Sequence, residues 1–196
     1  MSVAAAVSFG GAVVPAVAAP SASTVAATAV PAAAVGHSLL PLTELFAQRL
    51  LLADKVAAAK YGTDKPIDDP VREQAILDDV AARAVPLGLD PDAVTAVFRD
   101  QIEANKVVQR GLYARWDAHP EEIPTERPDL VTVIRPQLDR ITTELLTALQ
   151  QTAAVRAGRS CAPRLYAAAA RSAYVHHLDL LHLQGLARAV PSVCGG

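Results

Sequence analysis

From residue 41 onward, apolar side chains recur every three to four positions, and several polar residues interrupt them in places where a surface pattern would not put them. The first stretch, 41–61, opens on Pro41, which suits a first helical turn, and ends before Gly62 and Pro66. At about 100° per residue, Leu42, Leu45, Ala53 and Val56 form one stripe. Arg49 and Lys60 fall inside that stripe, about 20° apart and roughly three turns from each other. Such cations either snorkel to solvent at the stripe edge or face something inside. The second stretch, 70–85, starts with an Asp69 cap and Pro70 in the first turn. Glu73 shares a face with Leu77, Val80 and Ala84, and Arg72 lies beside it toward Ile76.

The third stretch carries the clearest signal. Leu89, Asp90, Pro91 and Asp92 form a helix start, and the pattern continues to Trp116. Asn105, Gln109 and Trp116 each fall within about 20° of the direction of Phe98, flanked by Val94 and Leu112. Two amides thus sit in the middle of an apolar stripe, where they need partners: either each other's helices or a ligand. A Pro/Glu-rich loop spans 118–128. A fourth helix begins between Asp129 and Pro136 and runs to Ala157, with Arg135 on the side of Thr142, Leu146 and Leu149. Asp139, Arg140 and Glu144 read as a solvated face with local ion pairs. The last helical region is 162–190. His176, His177 and His182 lack the spacing of a metal-binding helix face and read as surface or interhelical residues.

Composition agrees with packed helices. Apolar residues make up 52% of the 196 residues, aromatics only 4%, and alternating Val/Ile/Thr runs are absent. The expected fold is all-α, a single-domain bundle of about five to six helices. The formal net charge of -2 excludes a global basic field for nucleic acid, so a basic site must be local. The chain has no phosphate loop, no zinc spacing and no nucleophile elbow.

Residues 1–36 hold no charged side chain. Val3 to Ala19 is small and apolar with Ala16-Val17-Ala18 as a cleavage pattern, so 1–19 reads as an export signal and 20–40 as a flexible Ala/Pro-rich linker ahead of the domain at 41–196. Cys161 and Cys194 are incidental thiols in a cytosolic protein and one disulfide in an exported one. A straight helix from Pro163 to Ala189 would be about 40 Å long, while a disulfide needs Cα atoms within about 7 Å. If the two bond, the segment doubles back, with its break near Tyr174–Asp179.

The inward set is therefore Arg49, Lys60, Arg72, Glu73, Asn105, Gln109 and Arg135. It is rich in cations and lacks an activated nucleophile or a general-base histidine. Arginine forks bind carboxylates, so the expected ligand is a small dicarboxylate bearing a hydroxyl, and the chemistry is electrostatic stabilisation of a rearranging molecule. Two other readings fit the same pattern: a secreted helical protein that binds a small dicarboxylate without catalysis, and a helical interaction domain whose polar stripe serves interhelical hydrogen bonds.

These motifs, in order, resemble the AroQ-class chorismate mutases, specifically the secreted gamma-type branch. The resemblance rests on Arg49-Leu50 followed by Lys60, on Pro66-Ile67-Asp68-Asp69-Pro70 leading to Arg72-Glu73, on Phe98, Gln101-Ile102, Ala104-Asn105-Lys106 and Gln109, on Pro128-Asp129-Leu130 leading to Arg135, and on the pair Cys161 and Cys194. It implies an isomerase that turns chorismate into prephenate without a cofactor or metal, secreted or periplasmic, and a homodimer. It further implies that Arg49, Arg72 and Arg135 hold the two carboxylates and that Lys60 and Gln109 donate to the breaking ether oxygen. Glu73 would bind the ring hydroxyl, and Asn105 would support a carboxylate or the ring. Arg135 would act within its own chain, and Cys161 would bond Cys194.

Overall fold

The structure, a computed structural model, describes residues 38–195 and, ahead of them, residues 1, 3 and 4. The chain divides into two units, Met1–Val30 and Pro31–Gly196, and every helix described belongs to the second. Most of the expected export signal and most of the expected linker lie outside the described residues. No strand occurs among the described residues, and no helix among them is long and apolar enough to cross a membrane.

Among the described residues seven α-helices follow one another: α1 Leu40–Lys60, α2 Pro70–Ala84, α3 Pro91–Ala118, α4 Arg135–Gln151, α5 Ala153–Arg156, α6 Cys161–Val175 and α7 Leu180–Ala189. Their number slightly exceeds the expected five to six because the fourth predicted helix is interrupted. At Thr152 the side-chain hydroxyl donates to the Ala148 carbonyl at 2.6 Å, and the chain turns before the short α5. The other boundaries follow local chemistry. Asp69 caps α2 by accepting from the Arg72 amide at 3.0 Å, and Asp90 caps α3 by accepting from the Asp92 amide at 3.0 Å. Pro136 sits in the first turn of α4, preceded by one wide π-turn over Leu130–Ile134 that Asp129 caps. The last region breaks at His176–Asp179, as doubling back requires, and Asp179 caps α7 through the His182 amide at 2.9 Å.

The centre of the bundle is α1, which packs against α3, α6, α4 and α7. Leu42, Phe46, Leu50, Phe98, Leu145 and Leu149 are completely enclosed between these helices. The return helix α7 lies closest to α3. A Cβ on Gly185 would stand 2.8 Å from Leu50 Cδ2 and 2.9 Å from Val108 Cγ2, and one on Gly111 would collide with Leu181. Glycine is the residue that lets these backbones approach. The chain end is pinned to α3 as well: Asp100 accepts from Arg188 Nη1 at 2.5 Å and from the Ser192 amide at 2.9 Å. The disulfide Cys161–Cys194, with Cα atoms 5.7 Å apart, closes the same end. The opposite face of α3 is left for α2, and between these two helices, α1 and α4 a cleft remains.

Candidate active site

The seven side chains expected from the sequence all line this cleft, and each arrives from a helix whose position is fixed above. Arg49 and Lys60 come from α1, Arg72 and Glu73 from α2, Asn105 and Gln109 from α3, and Arg135 from the start of α4. The cleft has two adjoining parts that share Arg49, Arg72, Ile76 and Leu138. The larger, about 280 Å³, holds the three guanidiniums with Thr142, Asp79 and Asp139. The smaller, about 100 Å³, holds Lys60, Glu73, Asn105 and Gln109 against Ile67 and Ile102.

Arg49 does not snorkel: it is 5% exposed. Its Nη1 donates to Thr142 Oγ1 at 3.3 Å, its guanidinium lies 5.9 Å from the Phe98 ring centroid, and its Nε is buried without an acceptor. Burial pushes its pKa down to about 10, opposed by the Asp139 carboxylate, so it stays charged at neutral pH. Arg72 is pulled down from the ordinary arginine value by burial and then by repulsion from Arg135. The Nε of Arg135 is also buried without an acceptor. Three cations crowding one cavity, two of them with unmet donors, form a site shaped for an anion with more than one carboxylate.

In the smaller part the polar groups are already partly engaged. Lys60 donates to the Pro66 carbonyl at 2.8 Å, and burial lowers its pKa against the pull of Asp69. Asn105 donates to the Arg49 carbonyl at 3.1 Å, so one of its N–H groups is an interhelical tie. Gln109 is 4% exposed, and its Nε2 donates weakly to the Asn105 carbonyl at 3.3 Å. Its Oε1 has no partner, and its second N–H remains for a ligand. Glu73 accepts from the Asp69 amide at 3.1 Å and from Lys106 Nζ at 2.7 Å.

Lys106, Asp139 and Thr142 are site neighbours to which the sequence pattern assigned no role. Arg140 and Glu144 do form the expected exposed pair, at 2.9 Å, and Asp139, exposed as expected, also lines the cleft. Its place one turn after Arg135 on α4 was the available signal. Two of the three histidines are interhelical, His176 pairing with Glu44 at 2.5 Å and His182 with Asp54 at 3.0 Å, and His177 is exposed.

A helical cleft of this kind offers fixed positive charge and unmet donors to a small polyanion. The sequence model of the family described as Chorismate mutase type II matches residues 41–110, which carry six of the seven cleft residues. The secreted chorismate mutase of Mycolicibacterium smegmatis is 33% identical over 156 residues, covering 80% of this chain and 86% of the relative. That of Mycobacterium tuberculosis is likewise 33% identical, over 80% of this chain and 78% of its own length. Among solved structures, the chorismate mutase from Burkholderia phymatum superposes with a TM-score of 0.77 at 35% identity, covering 82% of this chain and 98% of that one. The chorismate mutase from Burkholderia thailandensis gives a TM-score of 0.75 at 41% identity, over 80% and 98%. The chain belongs to the chorismate mutase family.

Proposed function

We propose that this protein is an exported chorismate mutase that rearranges chorismate to prephenate by electrostatic preorganisation, with every catalytic side chain supplied by one chain. The observation that carries the reading is the convergence of Arg49, Arg72 and Arg135 on one cavity, with buried, unmet donors on Arg49 and Arg135. A dicarboxylate relieves the repulsion among these cations and meets those donors at once. Held at both carboxylates, the extended enolpyruvyl arm folds over the ring into a near-attack conformer.

As the ether bond breaks, negative charge grows on its oxygen. Lys60 and the free N–H of Gln109 donate there, more strongly in the transition state than in the ground state. Glu73 has lone pairs left to accept from the ring hydroxyl, and Asn105 steadies the ring or a carboxylate from the tie it makes to α1. A million-fold acceleration takes about 8 kcal/mol of such differential stabilisation. Export is supported by the relatives named as secreted, by the Cys161–Cys194 disulfide and by the uncharged first 36 residues. The family resemblance supports a homodimer, which sedimentation velocity tests.

Loss of chorismate absorbance on adding protein purified under oxidising conditions tests the activity. Rapid loss with prephenate formed is expected, and Lys60→Ala should slow turnover by several orders of magnitude while leaving the far-UV helical signal unchanged. Binding of chorismate without prephenate would replace catalysis by the dicarboxylate-binding reading.

A further inference from the structure

Lys106 stands beside the cleft on α3, between Asn105 and Gln109 in sequence, with its side chain 9% exposed. An ammonium carries three N–H bonds. Two of them go to Glu73 Oε2 at 2.7 Å and Glu103 Oε1 at 2.9 Å, and Asp68 Oδ1 completes a ring of carboxylates as an ion pair at 3.2 Å. Lys106 is thus unlike Lys60, whose one partner is a backbone carbonyl.

The three carboxylates come from three places: the 62–69 connection, the first turn of α2, and α3 itself. Glu73 is gripped from both sides. Its Oε1 is fixed by the Asp69 amide at 3.1 Å and its Oε2 by Lys106. Asp68 has a second cation in Arg110, at 2.7 and 2.8 Å, so the connection would keep an anchor without Lys106. Glu73 would not. Without the ammonium, Glu73, Glu103 and Asp68 would repel one another, and Glu73 would be free to swing about its remaining backbone bond. With its carboxylates 23–56% exposed, this ion cluster is a weak source of stability, so its consequence lies in geometry.

We propose that Lys106 is a positioning residue that acts through Glu73, holding that carboxylate in the one orientation that receives the ring hydroxyl of the substrate. The proposal rests on the chorismate mutase reading and adds to it a residue that touches no reacting atom.

The test is a double-mutant cycle on chorismate turnover with Lys106→Met, Glu73→Gln and the pair, each checked by thermal melting. An inactive wild type would take down the function and this proposal together. With an active wild type, Lys106→Met should lose about 100-fold in kcat/KM, most of it in kcat. In the Glu73→Gln background the same change should cost no more than about twofold, because the group it positions is already altered. Losses that multiply, or a Lys106→Met within about twofold of wild type, would overturn the proposal and leave the activity standing. If Lys106→Met does not fold, Lys106→Arg keeps the charge and changes its reach, and the same non-additivity decides.

Discussion

Two arginines in this molecule are buried to nearly the same degree, and they behave differently. Arg49 is 5% exposed and Arg156 is 4% exposed, and the Nε of each lacks an acceptor. Burial lowers the pKa of both. Arg156, however, directs its remaining donors at backbone carbonyls: Leu149 at 3.3 Å and Val193 at 3.4 Å. Leu149 belongs to the last turn of α4, where carbonyls have no helical partner and the macrodipole favours a cation. The Arg156 carbonyl in turn accepts from the Gly195 amide at 3.2 Å, so the residue clasps the chain end beside the disulfide. Arg49 faces a cavity in the company of two more cations. A buried arginine is therefore no sign of a ligand by itself. Like charges gathered around open space are, because Asp79 and Asp139, which line the same space, still leave an excess of positive charge.

Exchanging both residues for Met separates the two roles. Arg49→Met should lower kcat/KM by about a thousandfold or more, since a transition-state contact is lost. Its stability should hold or rise, because an unmatched buried charge is removed. Arg156→Met should do the reverse. Turnover of the folded protein stays within about twofold of wild type, while two carbonyls lose their donor at about 1–3 kcal/mol. The melting temperature should then drop by roughly 2–4 °C per kcal/mol in a protein of this size. Steady-state kinetics and calorimetry on the two variants check this, and a large activity loss in Arg156→Met would erase the distinction.

Gln109 sharpens the cavity side of the comparison, since it too is buried with an unmet atom yet carries no charge. With a neutral donor, the wild-type rate should stay flat between about pH 5 and 8. Burial lowers the Lys60 pKa, so the alkaline fall should begin below the ordinary lysine value. Gln109→Glu puts an acceptor where a donor is needed. At pH 8 it should lose about 100-fold or more and recover as pH falls and the acid protonates. Full activity of this variant at pH 8 would remove Gln109 from the donor role.

Much of this contrast was legible in the sequence, and the reason is periodicity. Arg49 belongs to a stripe with Leu42, Leu45, Ala53 and Val56, all buried, and a helix period of 3.6 leaves it no other side. Asn105 and Gln109 were found the same way between Phe98 and Trp116. Asp69-Pro70 and Asp90-Pro91 marked two helix starts because a cap and its proline are local chemistry. Lys106, Asp139 and Arg156 escaped because their surroundings are made by other helices. Lys106 is enclosed by α2 and the connection before it, and Arg156 by residues 37 positions away. The break at Thr152 escaped for a different reason: a single hydroxyl bonding back to Ala148 leaves no trace in a hydrophobic pattern.

His182 is a further buried cation, and unlike Arg49 and Arg156 it is hydrogen-bonded to carboxylates. Its Nε2 lies 3.0 Å from Asp54 on α1 and its Nδ1 2.6 Å from Asp179 at the α7 cap. The Asp54 hydrogen bond, against the effect of burial and with help from Asp179, raises its pKa to about 9. The unfolded chain should titrate near the ordinary histidine value of about 6.5. A raised folded pKa means that the stabilisation is fully present below about pH 6.5 and is lost as pH rises through about 9. Both aspartates are partly open to solvent, with side chains 44% and 57% exposed, so screening trims the effect. A contribution of about 1–2 kcal/mol is expected. Thermal melts between pH 6 and 10 should therefore slope downward in the wild type, and His182→Gln should flatten that slope without altering kcat, because the residue lies on the α7 side of α1, away from the cleft. A slope that survives in His182→Gln would assign it to other groups and leave His182 as a neutral link between the two helices.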